Sequence, residues 1–95
     1  MKTAQSDHSF NVSFEVNHQT GEVLAAYFRI RKGHSVETRE FAQGAVFADY
    51  NRDGNLLGIE MLAPCKASVL NKIAAPEPTV KKFLKRASPR ELVTP

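Results

Sequence analysis

Glu22 to Arg31 sets apolar side chains on both sides of an extended backbone. Leu24, Ala26, Phe28 and Ile30 fall on one face, and Val23, Ala25 and Tyr27 fall on the other. Ala45 to Tyr50 repeats the pattern, with Val46, Ala48 and Tyr50 opposed to Ala45 and Phe47. A strand with one apolar face can turn its other face to water; these two need cover on both sides. A chain of 95 residues buries roughly 60–65% of its unfolded surface, so the material for that cover is limited.

The neighbouring segments are strands of simpler kinds. Ser9 to Val16 alternates, with Phe10, Val12, Phe14 and Val16 against Asn11, Ser13 and Glu15. Ser35 to Phe41 is polar for most of its length, through Glu37, Thr38, Arg39 and Glu40, which suits an edge. Leu56 to Ala63 returns as a fifth strand interrupted at Gly58. Turn chemistry separates them: Asn17–Gly21, a tight Lys32-Gly33-His34 connection, Gly44, and Asn51-Arg52-Asp53-Gly54, where a glycine closes a type I turn. Pro64 ends the β part. Val69, Leu70, Ile73 and Ala74 then take helical spacing within Cys65–Ala75. Pro76-Glu77-Pro78 breaks that helix. A second helix over Thr79–Ala87 has Thr79 as N-cap and Val80, Phe83, Leu84 and Ala87 in one stripe. Ser88-Pro89-Arg90-Glu91 has capping-box spacing but leads only to a frayed end.

The expected class is α+β: an antiparallel β-meander of about five strands followed by one or two C-terminal helices packed on one face. Residues 1–75 form a single β-meander domain with its helix, and residues 76–95 a proline-hinged basic helical tail. Two small helices roof one sheet face. A second copy of the chain is the cheapest cover for the other, so a homodimer is expected through Val23, Ala25, Tyr27, Ala45 and Phe47. The alternative is that Ala25, Tyr27 and Phe47 are ordinary exposed apolar residues of a monomer.

Charge is split along the chain. Residues 1–62 carry six basic and eight acidic groups, and residues 63–95 carry seven basic groups against Glu77 and Glu91. An acidic body with a basic end fits two surfaces with different partners. Lys81, Lys82, Lys85 and Arg86, with Lys66, Lys72 and Arg90, give a nucleic-acid-binding alternative through salt-sensitive phosphate contacts. The plainer account is that an amphipathic helix puts lysine outward. Base stacking is not indicated, because Phe83 already belongs to the apolar stripe.

One motif match misleads. Asp49, Asn51, Asp53, Gly54, Asn55 and Glu60 fit the calcium-loop pattern, yet that loop needs a helix on each side and here both flanks read as strands. No metal is expected, and ion or small-ligand binding at the Asp49–Glu60 hairpin is the third reading. His8, His18 and His34 read as exposed terminal or turn histidines without a second ligand at metal spacing. Cys65 excludes an internal disulfide and reads as a small buried filler; the competing idea is a thiol activated at a helix start. With no glycine-rich phosphate loop and no nucleophile–base–orienter set, neither an enzyme nor a cofactor is expected. Met1-Lys2 is followed by polar residues, and the longest apolar run is Val23–Phe28. No signal peptide, membrane span or membrane partner is expected, and the cytoplasm is the expected compartment.

Val36-Glu37-Thr38-Arg39-Glu40, and then Ala48-Asp49-Tyr50-Asn51-Arg52-Asp53-Gly54-Asn55-Leu56-Leu57-Gly58-Ile59-Glu60-Met61-Leu62, resemble the YuzE-like small bacterial and phage proteins, a domain of unknown function. Tyr27-Phe28-Arg29-Ile30 is similar to the family's earlier Tyr-Ile-x-Leu strand. The resemblance runs over about residues 14 to 63. Leu24 and Ala25 stand where the family has acidic residues, and Asn17–Gly21 departs from its usual opening. The resemblance implies a compact β-meander with a C-terminal helix and no established activity. Some relatives resemble antitoxins paired with small toxin-like proteins, which implies an acidic body holding a basic, toxin-like protein partner; with the two-faced strands and the absence of a catalytic set, the expected function is a non-enzymatic, homodimeric interaction module.

Overall fold

The structure, a computed structural model, describes residues 7–95; the reading of Met1-Lys2 lies outside the described residues. Its elements in chain order are β1 (His8–Val16), β2 (Val23–Arg31), β3 (Glu37–Phe41), a 3₁₀ turn (Ala42–Gly44), β4 (Val46–Tyr50), β5 (Leu56–Met61) and β6 (Cys65–Lys66). Helices α1 (Ala67–Ile73) and α2 (Pro78–Ala87) and a last short strand, β7 (Val93–Thr94), complete the chain. The five-stranded antiparallel sheet followed by two C-terminal helices is the α+β fold the sequence predicts.

The strand order departs from a strict meander at one junction. It is β1-β2-β5-β4-β3, so β2 pairs with β5 and the polar β3 takes the far edge. A strict meander would bury Glu37, Arg39 and Glu40 in the middle of the sheet, at a desolvation cost no partner there offsets. The observed order gives the central places to the two-faced strands instead. Residues 32–36 are therefore a crossover and not a tight turn. They span three strand spacings, roughly 14 Å, which a five-residue extended link covers. The link passes against buried Leu57, and a Cβ on Gly33 would lie 2.8 Å from Leu57 Cδ2.

The register sorts the sheet into cross-strand rows. One face carries Val12–Phe28–Ile59–Ala48–Arg39 and Phe14–Ala26–Met61–Val46–Phe41. Phe28, Ile59, Met61, Val46 and Ala48 are fully buried there, under α1 and α2. Phe83 of α2 meets Phe28 edge-on at 6.1 Å and stacks on Phe10 at 4.4 Å, fixing the helix over β1 and β2.

Local chemistry corrects several boundaries. Cys65 and Lys66 are extended and pair in parallel with Val93 and Thr94, so α1 begins only at Ala67. Helix α2 starts with Pro78 at its first position and Glu77 as N-cap, two residues before the expected cap Thr79, since proline's fixed φ suits a helix start. The end expected to fray is packed. Ser88 closes α2 through N–H and O–H bonds to the Leu84 carbonyl, and Leu92 turns inward to 2% exposure. Val80, Leu84 and Leu92 belong to the same core as Phe28 and Ile59, so residues 76–95 share one core with the sheet.

Leu92→Ala should therefore behave as a core truncation. We expect a loss of about 3 kcal/mol in a single cooperative urea transition, a size typical of buried leucine truncations. A loose tail would give no measurable change.

Candidate interaction surfaces

The helix-free face of the sheet is built from two further rows, Asn11–Arg29–Gly58–Asp49–Thr38 and Ser13–Tyr27–Glu60–Phe47–Glu40. In the second row Glu60 stands between two half-exposed aromatic rings, Tyr27 and Phe47. With Glu15 opposite Ala25, these rows place Arg29 among the carboxylates of Glu15, Glu40, Asp49 and Glu60, and Arg31 and Lys32 line a cleft beside Tyr27 and Asp49 at one end of the face.

Tyr27 is held in place by a missing side chain. Its ring lies over Gly58, and a Cβ added there would sit 2.6 Å from Tyr27 Cζ and closer still to the hydroxyl oxygen. Burial pushes the Tyr27 hydroxyl pKa up, and the nearby Asp49 charge adds to that. The glycine anticipated as a bulge or close approach is thus the seat of an aromatic ring. Of the residues expected at a subunit interface, Ala25, Tyr27 and Phe47 lie on this face. Ala45 is instead buried in the chain's own core at 8% exposure, and Val23 packs against that core beside a bulge at Glu15/Val16.

The calcium-like pattern is scattered by its hairpin. Asn51 Oδ1 accepts from the N–H groups of Asp53 and Asn55, shaping the turn that Gly54 closes at φ +83°. Asp49 accepts from Thr38 Oγ1 at 2.6 Å, and Glu60 faces the two aromatic rings. Among the described residues no group of three or more His, Cys, Asp and Glu converges as a metal site.

The basic helix divides its charges. Lys81 and Lys85, with Arg90, rim an open groove of about 670 Å³ between α1, α2 and β7 that is floored by Leu70, Leu84 and Val93; Lys82 and Arg86 lie outside it. Cys65 is buried in β6, which raises its thiol pKa, the opposite of an activated nucleophile.

A polar cluster that sequence reasoning missed ties the sheet to the helices. Arg31, 7% exposed at the end of β2, donates to both carboxylate oxygens of Glu77, to Asp7 Oδ1 at 3.1 Å and to the Leu56 carbonyl. His8 lies 3.2 Å from Glu77 and stacks on Phe10, so it is a part-buried member of this cluster and not an exposed histidine. The only local hints were an arginine closing an apolar strand and a glutamate between two prolines, 46 residues apart. Hydrogen bonding from Arg31 holds the Glu77 carboxyl below its ordinary value, with a smaller contribution from His8, and Arg31 acts on Asp7 in the same direction.

Residues 22–63, which span β2 to β5, match the family model described as Protein of unknown function (DUF2283). No curated protein and no solved structure matches the chain. Strand β1 and both helices lie outside the matched segment. Among the described residues no helix is long and apolar enough to cross a membrane.

Two outcomes follow from this geometry. Glu77 ionises more readily in the folded state, so its contribution is present above the ordinary carboxylate value near 4.5 and is lost as pH falls through the depressed one. Thermal melts from pH 6 downward should show a fall in Tm below about pH 4.5, and Glu77→Gln should flatten that fall while lowering stability at pH 7 by about 2 kcal/mol. Gly58→Ala should cost about 1–2 kcal/mol by displacing the Tyr27 ring, and the penalty should shrink in a Tyr27→Ala background.

Proposed function

We propose that the protein is a non-enzymatic, homodimeric interaction module whose helix-free sheet face binds a basic protein partner in an antitoxin-like manner. The observation that carries the reading is the row Tyr27–Glu60–Phe47, two part-exposed rings flanking a carboxylate, with Glu40 beside Phe47 and Glu15 on the neighbouring row. Aromatic side chains held on a rigid sheet lose little conformational entropy on docking, and surrounding carboxylates steer a cationic surface toward them. The resemblance to proteins paired with small toxin-like partners fits the same charge logic.

The nucleic-acid alternative has less behind it. The basic groove has an apolar floor, and only Lys81 and Lys85 of the four helix cations line it. Phosphate binding is served by polar cationic surface, not by a groove floored with apolar side chains.

Tagged protein co-expressed with the genes flanking its own provides the test. Wild type should retain a basic polypeptide, and Phe47→Ala or Glu60→Lys should weaken that retention at least tenfold with unchanged circular dichroism. Retention of nothing beyond a second copy, or equal retention by both variants, would defeat the reading.

A further inference from the structure

Resting on the homodimeric reading, we infer that the second copy docks along the open edge of β1, pairing β1 with β1 in antiparallel fashion about a two-fold axis at Val12. The two edges of the sheet are protected very differently. The outer edge at β3 is five residues long, and Glu37, Arg39 and Glu40 stud it with charge. The edge at β1 has neither lysine nor proline and a single carboxylate, Glu15, and its ladder with β2 is regular over Asn11–Glu15, with irregularities between His8 and Asn11 and between Glu15 and Val16. Among the described residues no strand pairs with its outer side. An unpaired row of N–H and C=O groups on a long apolar strand is a template for another strand, and natural sheets normally guard it.

The strand is also complementary to itself. A two-fold at Val12 sets Phe10 against Phe14 of the second copy and Val12 against its own counterpart on the helix-bearing face. On the other face Asn11 meets Ser13 within the regular part of the strand, and no like charges are opposed. Phe14, 46% exposed in the single chain, gains an aromatic neighbour. Pairing through the helix-free faces is the poorer geometry, since it brings together two copies of the carboxylates Glu15, Glu40 and Glu60, which lie away from the Arg29–Lys32 end of the face. Edge pairing makes one continuous ten-stranded sheet and leaves both helix-free faces open.

Light scattering on the full chain across micromolar to submillimolar concentrations tests this. Wild type should be a dimer, and Phe14→Lys should raise its dissociation constant at least 100-fold; Val16→Lys, at a 41% exposed position, is a second variant in case the first misfolds. Hydrogen exchange at the β1 amides should slow as concentration rises, and Val12→Cys should form a covalent dimer under mild oxidation. A wild type that stays monomeric overturns both the dimeric reading and the edge. A dimer that survives Phe14→Lys and Val16→Lys but is lost in Phe47→Lys, or one with no concentration-dependent protection in β1, overturns the edge alone.

Discussion

A guanidinium that is almost fully withdrawn from water holds this structure's two layers in register. Arg31 closes β2, the strand that joins β1 to β5, and its partner Glu77 is the residue from which α2 starts. Burying a charge of that size is tolerable only because three acceptors surround it, two carboxylates and a backbone carbonyl. The result is directional. Apolar contact between α2 and the sheet would permit sliding, whereas a two-toothed ion pair fixes where the helix begins. Phe83 is then delivered onto Phe28 and Phe10, and Leu92 onto the core beyond.

The covering of the sheet follows from that clamp. One face is closed by α1 and α2, and the central residues of its rows, Phe28, Ile59, Met61, Val46 and Ala48, are dry. The opposite face stays open, but most of its row positions are polar, and its two large rings are braced by Gly58 and by neighbouring strands. The need for external cover inferred from Val23, Ala25, Tyr27, Ala45 and Phe47 is therefore smaller than the pattern implied: Val23 and Ala45 are satisfied within the chain. What remains exposed is concentrated on β1, the strand with the plainest alternation.

Strands and turns were legible because their signals are local. Period-two alternation marks β1, Asn51 and Gly54 mark the β4–β5 turn, and Asn17 to Gly21 marks the first hairpin, where the Gly21 N–H donates to the Asn17 carbonyl. The polar make-up of β3 announced an edge. It did not announce which edge, because strand order depends on competition among strands for central places, and that is a property of the whole sheet. The β6–β7 pair escaped notice for a related reason: two residues on each side carry no period. The Arg31–Glu77–His8 cluster joins three distant segments through polar groups that look ordinary one at a time. Of the interaction surface, the rings Tyr27 and Phe47 were visible in the pattern, while their flanking of Glu60 required the register.

The crossover after β2 shapes how the chain assembles in time. β1–β2 closes through a short turn, and β3, β4 and β5 can zip up among themselves as neighbours in sequence. Neither unit is complete, because Phe28 of one needs Ile59 of the other. Their meeting joins residues about thirty positions apart, so it bears the loop-closure entropy for the whole sheet and forms the natural rate-limiting event. Until that seam closes, α2 has no complete floor to settle on, and a ribosome releasing the chain would deliver the helices last, onto a surface still being made.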